Sequence, residues 1–191
     1  MNDIAQGNPD IDETLLAALK VFIHYGYRKT SLDDVAQAVG VSRQTLYQRY
    51  TNKETLFKLS LEMCLEDSLV RCRAVAKEAG GDVEDKLFRI FDIWGGEYVE
   101  MLRSSPHAAE VMEASEALVG DLCETKMDEF AGILREVLES FGLPVLKDER
   151  ISAHKLAEIM NFTAKGLFHK AKDYEHFSEQ IRTTIFVMCR I

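Results

Sequence analysis

The sequence of 191 residues has little proline, no long apolar run and no paired cysteine motif, and each absence excludes a class of protein. With only three prolines, long uninterrupted helices are allowed. No run of about 18 apolar residues is present, and the N-terminus carries Asp3, Asp10 and Asp12 instead of a basic segment followed by an apolar one. We therefore expect neither a membrane span nor export, and we expect a cytoplasmic protein.

The cysteines and histidines do not show the spacing of a metal site. The four cysteines are far apart and mostly lie on apolar helix stripes, which favours reduced, buried thiols: Cys64, Cys72, Cys123 and Cys189. His169, Asp173 and His176 share one helical face by their spacing, but Asp173 is also the expected cap of the last helix. We expect no metal and no cofactor.

Catalytic patterns are missing as well. The sequence contains no glycine-rich phosphate loop, no G-x-S-x-G and no H-E-x-x-H. We also find no paired carboxylates and no pairing of a nucleophile with a base. The sequence therefore predicts a protein that is not an enzyme, and an enzyme with a regulatory DNA-binding part is the weaker alternative.

Helical periodicity is the main feature that the sequence does contain. Apolar residues recur at spacings of three and four, and alternation of polar and apolar residues is absent, so the chain is predicted to be all-α with about nine helices. Residues 1–10 are predicted to be a flexible tail, 11–58 a helix-turn-helix domain and 59–191 an effector-binding and dimerisation domain. A long fourth helix, capped by Asn52, is expected to connect the two domains.

The helix-turn-helix prediction rests on three short helices with glycine-bounded turns. The first helix ends at Gly26. The second runs from a cap at Thr30 or Ser31 to Gly40. The third begins after Ser42 and is the expected reading helix.

One side of the third helix is expected to face DNA. With 100° per residue, Leu46 and Tyr50 share the buried side. The outer side then carries polar side chains: Gln44, Thr45 and Gln48, with Tyr47 at its edge. Glutamine amides can pair with adenine in two hydrogen bonds, and threonine suits a thymine methyl group or a base edge. Thr30, Lys53 and helix N-termini are expected to hold phosphates.

The charge distribution supports this division of the chain. The formal net charge is -9, yet the segment from Ile11 to Lys58 has seven basic and five acidic side chains and so carries +2. An acidic chain with one cationic segment is expected to repel DNA except at that segment.

Residues 11 to 58 resemble the DNA-binding domain of the TetR family of bacterial transcriptional regulators. The resemblance is carried by the run "FIHYGYRKTSLDDVAQAVGVSRQTLYQRYTNKETLF". It implies a helical homodimer whose N-terminal domains bind a palindromic operator and whose C-terminal domains bind a small effector. The implied DNA contacts are Thr30, Ser31 at the start of the second helix, Ser42, Arg43, Gln44, Thr45, Tyr47, Gln48 and Lys53.

The chain departs from the family pattern at two places. Many members begin with an arginine-rich arm, whereas Asp10, Asp12 and Glu13 stand here, so contacts of an arm with the minor groove are not expected. Gln44 replaces a glycine that is common at its position, which adds a side chain that could read a base.

The stretch "FDIWGGEYVEM" suggests an effector pocket. Each of its two adjacent glycines costs a helix about 1 kcal/mol relative to alanine. A kink that opens a cavity could explain them, and so could tight helix packing without any cavity. The first explanation predicts a pocket lined by Met63, Phe91, Trp94, Tyr98, Met112 and Phe130. Glu97 makes a cationic effector conceivable.

The last two helices are predicted to form the dimer interface. Small residues beside larger apolar ones would let helices approach closely: Ala157, Met160, Ala164, Leu167, Ile181, Thr184, Ile185 and Met188. A charge at Ile185 would then give monomers. The resulting hypothesis is a repressor released by a small molecule, and the alternative is an architectural DNA-binding protein without an effector.

Overall fold

The computed structural model describes residues 12–190, so the predicted tail (residues 1–10) and Ile11 lie outside the described part. Within residues 12–190 the chain is all-α, as predicted. The helices are α1 (Glu13–Tyr25), α2 (Leu32–Val39), α3 (Arg43–Arg49), α4 (Lys53–Lys77), α5 (Val83–Phe91), α6 (Glu97–Arg103), α7 (Ala108–Phe141), α8 (Ala153–Lys170) and α9 (Tyr174–Arg190). A π-helical turn (Asp92–Gly96) joins α5 to α6, and a 3₁₀ turn (Pro144–Lys147) precedes α8.

Short polar side chains begin the helices where the sequence predicted caps. The Ser31 hydroxyl accepts a hydrogen bond from the Asp34 amide at 3.2 Å, and the Ser31 amide donates to the Asp34 carboxylate at 2.8 Å. Ser42 accepts from the Thr45 amide at 3.0 Å. These bonds satisfy amides that have no partner inside the helix, and thereby fix where α2 and α3 begin.

The helices form two compact units, and each unit joins separate parts of the sequence. Of the described residues, the first unit contains 12–67 together with Met101–Glu124. The second contains Ser68–Glu100 together with 125–190. The sequence placed the boundary after Lys58 and did not assign residues 101–124 to the N-terminal part. Periodicity shows which face of a helix is buried, but not which distant segment covers that face.

The core of the first unit is built around aromatic rings. Phe22 of α1 and Phe57 of α4 are fully buried, and their ring centroids lie 5.1 Å apart in an edge-to-face arrangement. Tyr27 packs on Phe57 at 4.8 Å. Leu46 of α3 is 1% exposed. The first four helices are therefore held to one another by buried apolar contacts.

The core of the second unit is larger and is formed by α5, α8, α9 and the second half of α7. Its buried residues include Leu87, Ile90, Phe91, Phe130, Leu134, Leu138, Ala157, Met160, Phe177, Ile181 and Ile185. Burial of this many large apolar side chains supplies the main driving force for folding of the unit.

The sequence predicted separate helices around Ala108–Leu118 and Cys123–Phe141. The structure agrees in part, because α7 (Ala108–Phe141) consists of two helical segments that meet at a kink. Val119 alone has non-helical backbone angles inside it, with φ -138° and ψ 23°. The kink lies where a β-branched residue precedes Gly120, and both residue types weaken a helix.

One of the two glycines of the π-helical turn, Gly96, is explained by close packing. A Cβ at Gly96 would overlap the Asp92 carboxylate and lie 3.2 Å from the Phe177 ring. A Cβ at Gly95 would meet only ordinary contacts, at 3.6 Å from Phe168 and Phe177. Burial raises the pKa of the Asp92 carboxyl, to which Tyr174 donates a hydrogen bond. Gly96 therefore leaves room for a side chain of its own helix, and no cavity is needed to account for it.

None of the helices in the described part of the chain is long and apolar enough to cross a membrane.

We expect Gly96→Ala to destabilise the protein by roughly 1–3 kcal/mol, because overpacking forces neighbouring atoms to move. Gly95→Ala is the matched control. It should leave the free energy of unfolding unchanged or raise it by up to about 1 kcal/mol, because alanine is the better helix former. Urea unfolding followed by circular dichroism gives both values. Equal effects of the two substitutions would contradict this account of Gly96.

Candidate nucleic-acid interface

The turn between α2 and α3 sets the direction of the predicted reading helix. Gly40 ends α2 with φ 73°, a left-handed conformation that glycine adopts without strain. The Val41 amide then donates to the Ala36 carbonyl at 3.1 Å, and Ser42 caps α3. Three residues thus reverse the chain between two short helices, which is the arrangement of a helix-turn-helix motif.

The two sides of α3 match the helical-wheel prediction. Leu46 and Tyr50 are 1% and 3% exposed. The predicted outer side chains are exposed: Gln44, Thr45, Tyr47 and Gln48. Tyr47, predicted at the edge of this face, is 51% exposed. The structure therefore presents a polar surface of amides and hydroxyls on a helix whose opposite side is anchored in the core.

The hydroxyls at the start of the second helix are already engaged. Thr30 is 3% exposed, and its hydroxyl donates to the Gly26 carbonyl at 2.7 Å. The Ser31 hydroxyl lies 2.6 Å from the Asp34 carboxylate, to which it donates. A hydroxyl has one hydrogen to donate, so neither side chain can also donate to a phosphate in this conformation. The Ser31 amide is engaged as well, since it donates to the Asp34 carboxylate, so the predicted phosphate contacts of these two hydroxyls require a change in this arrangement.

Lys53 keeps one donor available. Its ammonium donates to the carbonyls of Tyr27 and Arg28 at 3.0 and 3.3 Å, and lies 4.6 Å from the centroid of the Tyr27 ring. An ammonium has three hydrogens, so two stabilise the turn after α1 and the third can reach a phosphate. Lys53 thus holds the turn and can still bind DNA.

Both arginines of α3 are paired with acids from other segments. Arg43 lies 2.9 Å from Asp33 of α2, and Arg49 lies 2.6 Å from Asp12, the residue before α1. The same Asp12 oxygen accepts a hydrogen bond from the Tyr50 hydroxyl at 3.1 Å. Burial, followed by this acidic partner, raises the pKa of Tyr50 to about 12.

A segment that the sequence placed in the effector domain belongs to the first unit and contacts the turn after α1. Glu110 accepts from the Arg28 amide at 2.5 Å, and Glu113 pairs with the Arg28 guanidinium at 2.9 Å. The Ser105 hydroxyl donates to the Ile23 carbonyl. Gly26 has φ 87°, a conformation that favours glycine, and a Cβ there would lie 2.9 Å from the terminal oxygen of Glu110. Gly26 was the one sequence signal of this contact, but it fits a helix end equally well.

The residues predicted to line an effector pocket fall in both units. Met63 and Met112 are partly buried residues of the first unit. The others belong to the second unit, where Trp94 stacks on Phe130 with centroids 4.6 Å apart and rings inclined by 9°. Phe91 packs edge-on against Phe130 at 5.5 Å.

Tyr98 is fixed by a polar contact. Its hydroxyl lies 3.0 Å from the Ser68 hydroxyl. Beside it in sequence, Glu97 forms a two-bond ion pair with Arg71, so its charge is already compensated. This pairing removes the argument for a cationic effector that rested on Glu97.

The predicted dimer residues require a correction. Five of the eight are at most 5% exposed and lie in the core of their own unit: Ala157, Met160, Ala164, Ile181 and Ile185. Leu167, Thr184 and Met188 are partly buried. An apolar stripe was assigned to a second copy, whereas it packs within the same chain. The opposite sides of α8 and α9 expose other apolar side chains: Ile159, Phe162, Phe186 and Val187.

The histidine spacing near the last helix has a structural explanation. Asp173 accepts from the His176 amide at 2.8 Å and so caps α9, as predicted. The His176 ring accepts from the Lys172 amide at 3.2 Å. Among residues 12–190, no group of three or more histidine, cysteine or acidic side chains is placed to hold a metal ion.

Comparison with known proteins agrees with the geometry of the first three helices. The family model described as "Bacterial regulatory proteins, tetR family" matches residues 15–59. The transcriptional repressor ComR of Escherichia coli is 40% identical over 65 residues, which make up 32% of this chain and 31% of ComR. The chain thus spans about a third of that relative's length, and the similarity is confined to one region.

Solved structures extend the likeness to the whole fold. A transcriptional regulator of Cytophaga hutchinsonii superposes with a TM-score of 0.71 at 19% identity, over 92% of this chain and 94% of that one. The complex of SmeT with triclosan gives a TM-score of 0.64 at 13% identity, over 92% of this chain and 88% of SmeT. At such identities the likeness concerns the fold alone.

The exposed face of α3 leads to a prediction about base reading. On a preferred DNA sequence selected from random oligonucleotides, Gln44→Ala or Gln48→Ala should lose about 1–3 kcal/mol at particular base pairs. Lys53→Ala should weaken all sequences alike, because a phosphate carries no sequence information. Binding titrations against single-base variants of the preferred sequence separate the two patterns. If neither glutamine substitution changed any base preference, α3 would not be the reading helix.

Proposed function

We propose that this chain, which belongs to the TetR family of bacterial transcriptional regulators, represses transcription by binding a palindromic operator as a homodimer, and that a small molecule releases it. The observation that carries the proposal is the outer face of α3. Gln44, Tyr47 and Gln48 project from a helix that is capped at Ser42 and anchored by Leu46. A helix presented in this way fits the major groove, where amides distinguish base pairs.

Exposed apolar side chains on α8 and α9 support a dimer. Phe162 is 68% exposed and Ile159 is 52% exposed, while Phe186 and Val187 are each 47% exposed. α8 and α9 pack against each other in the second unit, so these side chains belong to neighbouring helices. A second copy with the same surface would remove them from water in a two-fold interface, and a two-fold dimer matches a palindrome.

Release by a small molecule is supported by the aromatic cluster of the second unit. Trp94 is partly buried at the edge of the core and stacks on Phe130. A planar apolar molecule could replace or extend this stacking. The complex of SmeT with triclosan is an example of a small molecule bound to a protein of the same fold.

Two features could transmit the presence of an effector to α3. α4 has 25 residues, which at 1.5 Å each correspond to a length of roughly 37 Å, and it begins at Lys53. Ser105, which follows α6, hydrogen-bonds to Ile23 near the end of α1, and Glu110 of α7 hydrogen-bonds to Arg28 in the turn between α1 and α2. We expect an effector to favour an arrangement of these elements that binds the operator poorly. The effector then weakens operator binding by the same factor by which the operator weakens effector binding.

Two measurements test the dimeric repressor. Selection from random DNA should return a palindrome whose half-sites lie about 34 Å apart or a multiple of that distance. Phe162→Glu should give monomers in sedimentation, and these monomers should bind a palindrome no better than a half-site. Tyr25→Glu is the matched control, since Tyr25 is 56% exposed but lies in the other unit, and it should remain dimeric.

A charge at Ile185 would be uninformative, because Ile185 is 1% exposed and its replacement would disrupt the core. A dimer that persists in Phe162→Glu would place the interface elsewhere. A selected sequence without two-fold symmetry would favour an architectural DNA-binding protein.

The effector proposal predicts a change at the only tryptophan, Trp94. In a titration with planar apolar compounds, triclosan first, an effector should alter the fluorescence of Trp94 and release labelled operator. Trp94→Ala should bind operator normally but need at least tenfold more effector, a loss of about 1.4 kcal/mol. Trp94→Phe keeps an aromatic ring and should lose less. Release that is unchanged in Trp94→Ala would place the effector elsewhere.

A further inference from the structure

The carboxylate of Asp12 has more contacts than a helix cap requires. One oxygen accepts from the Thr14 amide at 2.9 Å and caps α1. The other oxygen is 2.6 Å from the Arg49 guanidinium and 3.1 Å from the Tyr50 hydroxyl. Capping therefore explains one oxygen, and the other oxygen binds the last residues of the reading helix.

Arg49 lies beside the face proposed to read DNA. On the helical wheel it is about 40° from Thr45 and about 60° from Leu46, between an exposed and a buried position. Its side chain is 57% exposed, so the guanidinium is within reach of solvent and of a DNA backbone. An arginine in such a place would ordinarily bind a phosphate, and such contacts raise affinity for all sequences equally.

We propose that Asp12 is a specificity-determining residue, which holds Arg49 in an ion pair and thereby withholds it from DNA phosphates. The inference rests on the proposed DNA binding. It concerns the ratio between binding to the operator and binding to other DNA, which the identity of the reading side chains alone does not set. Arg49 then contributes little to non-specific affinity, and the glutamines of α3 contribute a larger share of the total.

The environment of Asp12 favours its charged form. Burial raises the pKa of this carboxyl, but the hydrogen bonds from Thr14 and Tyr50 and the charge of Arg49 outweigh burial and lower it overall. The carboxylate is 21% exposed, which reduces the screening that makes most surface ion pairs weak. The pair is therefore expected to persist at neutral pH and ordinary salt.

Asp33 offers an internal comparison at the other end of α3. It pairs with Arg43 at 2.9 Å, but Arg43 is 74% exposed and Asp33 is 35% exposed. This more solvated pair resembles the surface pairs that contribute little. Arg43 can exchange Asp33 for a phosphate with little loss, which agrees with its expected role as a DNA contact.

The test uses Asp12→Asn, because asparagine caps a helix about as well as aspartate but carries no charge. Binding to random-sequence duplex is measured at several salt concentrations. Released Arg49 should make the slope of log K against log salt steeper by about 0.9, which is one additional phosphate contact. Between 50 and 200 mM salt the variant should lose about threefold more affinity than the wild type, and its preference for the selected sequence should fall.

Matched variants separate this role from a general charge effect. Asp33→Asn removes the same charge near the same helix and should change the slope less. Arg49→Gln alone should leave the slope unchanged, and Asp12→Asn with Arg49→Gln should restore the wild-type slope. These results together support the inference.

Two results would overturn it. Asp12→Asn with an unchanged slope would show that Arg49 is not withheld. A slope that is less steep in Arg49→Gln alone would show that Arg49 already binds a phosphate in the wild type. A wild type without salt-dependent DNA binding would instead contradict the proposed function, so the two failures are distinguishable.

Discussion

The predicted reading helix α3 has seven residues, and a helix of this length is not stable by itself in water, so its properties depend on the contacts that hold it. Its first turn is fixed by the Ser42 cap, its middle by the buried Leu46 and its end by Tyr50. These contacts use one side of the helix and leave the other side to solvent. The exposed glutamines are therefore held by residues that never need to touch DNA.

The same constraint explains why the reading helix could be predicted well from the sequence. The helix cap at Ser42, the turn at Gly40 and the spacing of Leu46 and Tyr50 are local signals. Together they determine where α3 begins and which of its sides is buried. Asp12 was different. Its pairing with Arg49 joins residues that are far apart in the sequence, so the sequence indicated only that an acid stands where related proteins often have arginine.

The second unit shows where periodicity stops being informative. α8 has apolar residues on more than one side, since Met160 is fully buried while Phe162, two residues later, is 68% exposed. An apolar helix face that packs within the chain and an apolar face that binds a second copy have similar amino-acid compositions. The sequence therefore predicted helices α8 and α9 correctly, but it could not show that most of the residues it assigned to a dimer interface lie in the core of their own unit. Gly96 is a similar case. The sequence does not distinguish a glycine that leaves room for a neighbouring carboxylate from a glycine that opens a cavity.

The chain is acidic, yet its proposed DNA-binding surface need not repel DNA, because two acids near α3 form ion pairs with its arginines. Asp12 and Asp33 pair with Arg49 and Arg43, so the reading helix carries little unpaired positive charge along its flanks. A protein that searched for an operator with several free arginines would bind any duplex strongly, since non-specific affinity grows with each phosphate contact. With Arg49 held by Asp12, such a protein depends on base contacts for a larger share of its preference. Lower affinity for random DNA then increases the fraction of protein at the operator, because competing sites greatly outnumber it.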